Sequence, residues 1–361
     1  MQLHTIWFVI IAIFWIGFFV LEGFDFGVGV LHTIVGKTDT ERRVALSTIG
    51  PWWDGNEVWL IVAGAGMFAA FPGWYATMFS ALYLALLLVL AALIARGVAF
   101  EFKGKGESER WRSTWRWCTT LGSLLVPLLL GVGLGDLLVG LPIESSHDFT
   151  GNFFDLLTPY GLWTGVTLLG LCLLHGATFV KLRTTEELRE RARALARPLG
   201  WAAIVLVIGW VIWTRNVAGG ADVPGPVELL AVIAVIFAAR LAMTDEDGSA
   251  FTASAIAIAS VVGSLFIDLY PRVMVSSTSS AYNLTVNNSA SGHYALVVMT
   301  VVAVIFVPLV VIYQGWSFHV FRARVKGAPE TPDSRSAAPP PTPPELSTPA
   351  IRPAVPPTSS S

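Results

Sequence analysis

Two acidic pairs stand inside runs that are otherwise hydrophobic. In VLEGFDFGVGV, Glu22 and Asp25 interrupt an apolar stretch; in WWDGNEVWL, Asp54 and Glu57 open another, with Asn56 between them. Each pair is spaced i, i+3 and so shares one face of a helix. Carboxyl groups grouped in a poorly hydrated setting can hold and pass protons, and an unpaired one there is costly. Structural readings of the same residues stay open. Asp54 and Glu57 follow Gly50 and Pro51 in the D-x-x-E pattern of a capping box. Glu22 and Asp25 can mark interfacial polarity, paired with Arg42 or Arg43, while Gly23, Gly27 and Gly29 form a small-residue groove suited to close helix packing.

The surroundings of these acids are membrane-like. Of 361 residues, 54% are hydrophobic and 13% charged, against about 25% charged in a soluble domain, and the mean hydropathy is +0.65. Nine stretches are each apolar over enough length to cross a hydrocarbon core of roughly 30 Å: residues 6–31, 52–71, 75–96, 117–138, 158–180, 200–216, 227–243, 250–270 and 294–316. Backbone groups in lipid must be satisfied within their own segment, so these are predicted helices and the fold is an all-α polytopic membrane protein. The first run has no basic flank before it and reads as a retained span. Cys118 and Cys172 lie in apolar runs without metal or disulfide spacing.

Of the 23 Lys and Arg residues, all but Arg215 and Arg272 fall at the ends of the first, third, fifth and seventh spans, in the connections after them, or in the C-terminal segment. The positive-inside rule then predicts an outer N-terminus and a cytoplasmic C-terminus, which requires an odd number of spans. With that orientation Asp25 falls near the cytoplasmic edge of span one and Asp54 at the cytoplasmic start of span two. Glu22, Asp25, Asp54 and Glu57 are therefore predicted to line one inward-facing cluster. Residues 326–361, rich in Pro, Ser and Thr, cannot build a packed core and are predicted to be a disordered cytoplasmic tail, leaving 1–325 as the membrane domain.

Other polar residues in the spans read as structural. Arg96 and Glu101 suggest an ion pair or snorkelling at the end of the third span, and Asp136 and Asp268 suggest interfacial acids. His175 is the one central histidine; His4, His147 and His293 lie outside or at the outer edge, His32 and His319 at the inner edge. A hydrogen bond from His175 to a neighbouring helix is the favoured reading, and the chain is poor in haem ligands. It shows no catalytic residue, no metal site, no phosphate-binding loop, and no basic patch calling for nucleic acid.

Several motifs occurring in order carry a family resemblance: GFDFGVGVL (23–31), DTERR (39–43), WDGNEVWL (53–60), RGVAFEFKGK (96–105), VPLLLGVGLGDLL (126–138), TGNFFDLLTPYGL (150–162), YPRVMVSST (270–278) and VPLVVIYQGW (307–316). Across residues 1 to about 325 the sequence resembles subunit II of the cytochrome bd quinol oxidases. The resemblance implies a heterodimer in the bacterial plasma membrane, in which a homologous subunit I holds two b haems and haem d, oxidises quinol, and reduces O₂ to water with cytoplasmic protons. It implies two four-helix bundles plus a peripheral helix for this chain, a supporting role in assembly, and a quinone (ubiquinone or menaquinone) at its surface. Membrane lipid and a small single-span accessory subunit are the further implied partners. It places Asp25 and Asp54 on a proton-uptake path, to which the residue pattern adds Glu57 and Glu22. Arg116, between Trp115 and Trp117, departs from the acidic residue some relatives carry there, and the Pro-rich tail lies outside the likeness.

Two competing roles remain at this level: a scaffold whose acids are caps and ion pairs, and a proton-coupled transporter, for which acids nearer the membrane midplane are the usual mark. The topology is directly testable. A phosphatase fused after Lys326 is expected to be inactive and a fluorescent protein there bright; periplasmic phosphatase activity would reverse the orientation and remove the acids from the inner side.

Overall fold

The computed structural model describes residues 2–106, 108–219 and 223–325; the predicted tail at 326–361 lies outside them. Eleven α-helices occur among the described residues: α1 (Leu3–Val35), α2 (Asp39–Ser47), α3 (Trp53–Ala70), α4 (Pro72–Ala81), α5 (Tyr83–Phe102), α6 (Glu109–Val139), α7 (Pro159–Arg183), α8 (Glu186–Ala218), α9 (Pro226–Leu241), α10 (Asp247–Leu269) and α11 (His293–Val320). Every predicted span overlies a helix. Seven helices, α1, α5, α6, α7, α8, α10 and α11, are long and apolar enough to cross a membrane. Of the other two matched to predicted spans, α3 spends its first turn on Asp54, Asn56 and Glu57, and α9 is 16 residues long.

Differences from the predicted segments have local causes. The stretch 75–96 divides at Leu82 into α4 and α5. Pro72 starts α4 at its first helical position, where a missing N–H is harmless. From there α4 is held by the loop between α6 and α7, with the Thr77 hydroxyl donating to His147 O at 2.9 Å. The basic stretch 186–197 is the first part of α8 rather than a loop. Its arginines find partners: Arg191 meets Glu41 at 2.9 Å, and Arg189 meets Asp245 at 2.9 Å and Asp247 at 3.2 Å. Buried Lys181 also pairs with Asp247, at 2.9 Å, as does Arg324 at 2.7 Å.

The two long polar loops, read separately in the sequence, pack as one cap. Strands β1 (Arg272–Met274) and β2 (Leu284–Thr285) pair antiparallel, Leu141 N donates to Val275 O at 3.1 Å, and the Ser276 hydroxyl donates to Ile143 O at 2.8 Å. On the other side, α2 is closed by a true capping box: Glu41 N donates to the Thr38 hydroxyl, and Thr38 N to the Glu41 carboxylate.

Helix α1 is the axis of the fold, packing on α3, α6, α7 and α10. Its small-residue groove is used. A Cβ on Gly27 would stand 2.1 Å from the Cys172 carbonyl oxygen and 2.7 Å from Gly176 Cα, so α1 and α7 meet backbone to backbone there. Gly27→Val is therefore expected to prevent this crossing and sharply lower the yield and thermal midpoint of the purified protein, overpacking costing about 1–3 kcal/mol or more. Gly64→Ala, whose added carbon meets only Phe79 at 3.8 Å, should leave both unchanged.

Candidate functional site

The acids of α1 and the first turn of α3 meet beside α5. Glu22 and Asp25 are fully buried on α1, and Arg96 is fully buried on α5. The Arg96 Nη1 group donates to Glu22 Oε1 and, at 2.7 Å, to Glu57 Oε1. Its guanidinium also lies 4.9 Å from the Phe26 ring centre and 5.3 Å from that of Phe100, a cation–π setting that stabilises a cation away from water.

Asp25 is held differently. Asn56 on α3 donates its two amide hydrogens to Asp25 Oδ2 at 2.7 Å and to Leu21 O at 2.9 Å. Its own oxygen accepts from Gln314 Nε2 on α11 at 2.8 Å. A backbone carbonyl can only accept, so the Asn56 orientation is fixed and Asp25 is the acceptor in their bond. Glu22 Oε2, Asp25 Oδ1, Arg96 Nε and Arg96 Nη2 are buried with no hydrogen-bond partner among the described residues. Such atoms need water to be stable.

The sequence placed Glu22, Asp25 and Glu57 correctly in one cluster, with corrections. Asp54 is exposed, beside Glu57 on the first turn of the same helix, and takes no part in the Arg96 contacts. The capping box at Asp54 and Glu57 does not form: the helix begins two residues earlier, its N-cap is Trp52 rather than Asp54, and no side chain caps it. Arg42 and Arg43 do not serve Glu22 or Asp25, since Arg42 pairs with Asp39 at 3.0 Å and Arg43 bonds Thr40. Arg96 turns from Glu101, which is exposed, to acids on α1 and α3. Helix α1 continues past Asp25 to Val35, about 15 Å of helix further on.

Asp136, three residues from the end of α6, is buried. It accepts from the Thr158 hydroxyl at 2.6 Å, under the start of α7, where helix N–H groups favour a carboxyl. Asp268, one residue from the end of α10, pairs with Arg215 at 2.5 Å. Gln314 and the role of Asn56 went unassigned in the sequence. The available signal was a lone amide in VPLVVIYQGW and another in WDGNEVWL, each in an apolar run.

His175 makes the interhelical bond predicted for it. Its Nε2 donates to Val20 O at 3.1 Å and Nδ1 meets the Ser254 hydroxyl at 2.7 Å, with Phe251 stacked at 4.4 Å. Both ring nitrogens are thus committed, and no group of three or more His, Cys, Asp or Glu side chains able to hold a metal occurs among the described residues. The residues around His175 do not fit a haem.

Arg96 is the charge on which the cluster depends, and truncating it tests this. Arg96→Gln leaves buried Glu22 and half-buried Glu57 without a counter-charge and is expected to destabilise by about 3–5 kcal/mol, as for other broken buried pairs. Glu22→Gln in the same chain should restore part of that loss. A thermal melt of the purified protein reads both; equal midpoints for wild type and Arg96→Gln would show that the pair is not a keystone.

Comparison with known proteins gives a consistent result. Residues 3–321 match the family described as cytochrome bd terminal oxidase subunit II. The chain is 42% identical over 332 residues to cytochrome bd ubiquinol oxidase subunit 2 of Bacillus subtilis, covering 90% of this chain and 97% of that one. It is 35% identical over 361 residues to cytochrome bd-I ubiquinol oxidase subunit 2 of Escherichia coli K12, covering 90% and 95%. The fold matches a chain in the structure of bd oxidase from Geobacillus thermodenitrificans with a TM-score of 0.72 over 89% of this chain and 99% of that one, at 19% identity. A buried acid cluster in a bundle of membrane-length helices thus coincides with family-wide similarity, and the chain belongs to the cytochrome bd terminal oxidase subunit II family.

Proposed function

We propose that this chain, as subunit II of a cytochrome bd-type quinol:O₂ oxidoreductase in the bacterial membrane, carries protons from the cytoplasmic side toward the oxygen-reducing centre. The complex oxidises quinol and reduces O₂ to water in aerobic respiration; each O₂ takes four electrons and four protons. The haems of the complex supply the electron storage and O₂ chemistry, and we assign two b haems and haem d to subunit I. The commitment of both His175 nitrogens supports that division.

The observation that carries the proposal is the meeting of buried Glu22 and half-buried Glu57 at one buried guanidinium, with buried Asp25 beside them held by an amide. Glu22, Asp25 and Glu57 cannot all be charged opposite Arg96 alone without leaving uncompensated charge in a low-dielectric interior. Such a cluster takes up and releases protons as a unit. Arg96 binds Glu22 and Glu57, which fixes them as its counter-charges. Asp25 has no cation in hydrogen-bond contact and is the group free to relay a proton. Exposed Asp54 receives the proton from the surface, and water at the unpartnered Asp25 and Glu22 oxygens links the steps.

The finer architecture belongs to the same proposal. Nine spans, with α3 and α9 completing the set, give an outer N-terminus and a cytoplasmic C-terminus. Helices α1, α3, α5 and α6 form one four-helix bundle and α7 to α10 the other, with α11 peripheral; the pairing of α5 with α6, of α1 with α3 and α6, and of α7, α8, α9 and α10 in sequence supports this grouping. A surface quinone, annular lipid and a small single-span subunit complete the assembly we propose. The acid cluster lies inside a subunit of an oxidase rather than an autonomous carrier, which sets aside the transporter reading.

Asp25→Asn and Asp54→Asn test the path. Both should assemble with subunit I and keep a normal reduced-minus-oxidised haem spectrum. Asp25→Asn keeps the bond to Asn56 if its amide oxygen faces it, yet cannot exchange a proton. It is expected to slow quinol-driven O₂ consumption at least tenfold, with Asp54→Asn slower than wild type by a smaller factor. Full turnover in the assembled Asp25→Asn enzyme would leave the cluster a purely structural device.

A further inference from the structure

A separate cavity of about 600 Å³ opens between α2, the end of α5 and the start of α6. Arg42, Arg43, Lys103, Arg112 and Arg116 line it against two acids, Asp39 and Glu101. The charges are unevenly matched. Asp39 is shared by Arg42 at 3.0 Å, Arg116 at 3.3 Å and Arg112 at 3.7 Å, and Glu109 by the last two, at 2.9 Å and 3.1 Å. Arg43 reaches only the Thr40 hydroxyl, and Lys103 has no ion-pair partner among the described residues. Partial burial, together with the Arg43, Arg116 and Arg42 charges, brings the Lys103 ammonium down to about 8 despite Asp39. An anion at this point would relieve that repulsion.

The rest of the lining narrows the kind of anion. Leu46, Ile49, Trp53 and Phe100 give the cavity an apolar floor. A second cavity of about 240 Å³ shares Arg42 and Arg116 as a common wall and is otherwise lined by Thr33, Trp117 and Thr120. Trp117 is 61% exposed on α6, a helix of membrane-crossing length and hydropathy. Trp111, at the start of the same helix, and Phe102, at the end of α5, are also exposed. Aromatic side chains at span ends mark headgroup level, and basic pockets between spans at that level suit phosphate headgroups.

We propose that this cavity binds the phosphodiester headgroup of an anionic phospholipid, with Arg43 and Lys103 supplying the uncompensated positive charge. The apolar floor takes the glycerol and first methylenes, and the groove beside Trp117 leads the chains back along α6. Inorganic phosphate shares the headgroup chemistry but would make no use of the apolar floor or of that groove. The site is distinct from the buried acid cluster, and its test does not depend on turnover.

The two-subunit complex, reconstituted in phosphatidylcholine nanodiscs with increasing phosphatidylglycerol, is examined by native mass spectrometry. Wild type is expected to retain one more phosphatidylglycerol than Arg43→Gln/Lys103→Gln, whose affinity for it falls about 30-fold at roughly 1 kcal/mol per basic group. Arg110→Gln, an exposed cation outside the cavity, should behave as wild type. Equal retention in the double variant, or equal loss in Arg110→Gln, would overturn the assignment. Amine acetylation of the unaltered complex gives a second reading that needs no variant. Phosphatidylglycerol should protect Lys103 and phosphatidylcholine should not. Protection by millimolar inorganic phosphate with none from phosphatidylglycerol would make the cavity a free-anion site and refute the lipid.

Discussion

A guanidinium enclosed in a bundle of apolar helices is stable only where acids and aromatic faces replace the water it has lost. Arg96 meets that condition with Glu22, Glu57, Phe26 and Phe100, drawn from α1, α3 and α5. The condition acts in both directions, because Glu22 is as deeply buried as Arg96 and needs it equally. The resulting coupling ties three helices at one depth and leaves Asp25 beside them without a cation of its own. Charge compensation thereby sets both the register of the helices and the chemistry the cluster can perform.

The helices can come close enough for this because α1 is narrow where it matters. At Gly27 the backbone of α1 touches that of α7, and a Cβ on Gly29 would stand 2.0 Å from the Ser123 hydroxyl oxygen of α6. Between these contacts the aromatic side chains of α1 fill the bundle, with Phe24 stacked on Phe179 at 4.1 Å. In lipid there is no hydrophobic gain from joining two apolar helices, so close packing and buried polar bonds carry the association. The His175 bridge from α7 to α10 and α1 and the Gln314–Asn56–Asp25 chain from α11 to α1 belong to that second class. The hydrogen bond that anchors α11 to α3 is thus continuous with the one that orients Asp25.

Much of this was legible before any coordinates. Spans, their helical form and the grouping of Glu22, Asp25 and Glu57 follow from hydropathy and i, i+3 spacing, which are local properties. The same local rules misjudged what depends on neighbours. A D-x-x-E pattern satisfies the capping box on paper, yet Ile49 and Trp52 carry the chain into α3 through backbone bonds from Trp52 N and Trp53 N to Ile49 O, and the helix starts two residues early. Charge density at 186–197 reads as a loop, whereas partners on α2 and before α10 let those residues remain helical. Asp136 ends a span in the sequence, and only the fold shows that the start of α7 covers it.

By itself the sequence determined that the chain lives in a bilayer, where its helices run, and that acids stand inside them, since each of these rests on residue type and period within one segment. Tertiary structure alone decided that Arg96 answers to Glu22 and Glu57 rather than Glu101, that Asn56 and Gln314 hold Asp25, and that Asp54 faces outward. Those are pairings between residues up to 258 positions apart in the chain, and the electrostatic cost that selects them exists only once the helices have excluded water from the space between them.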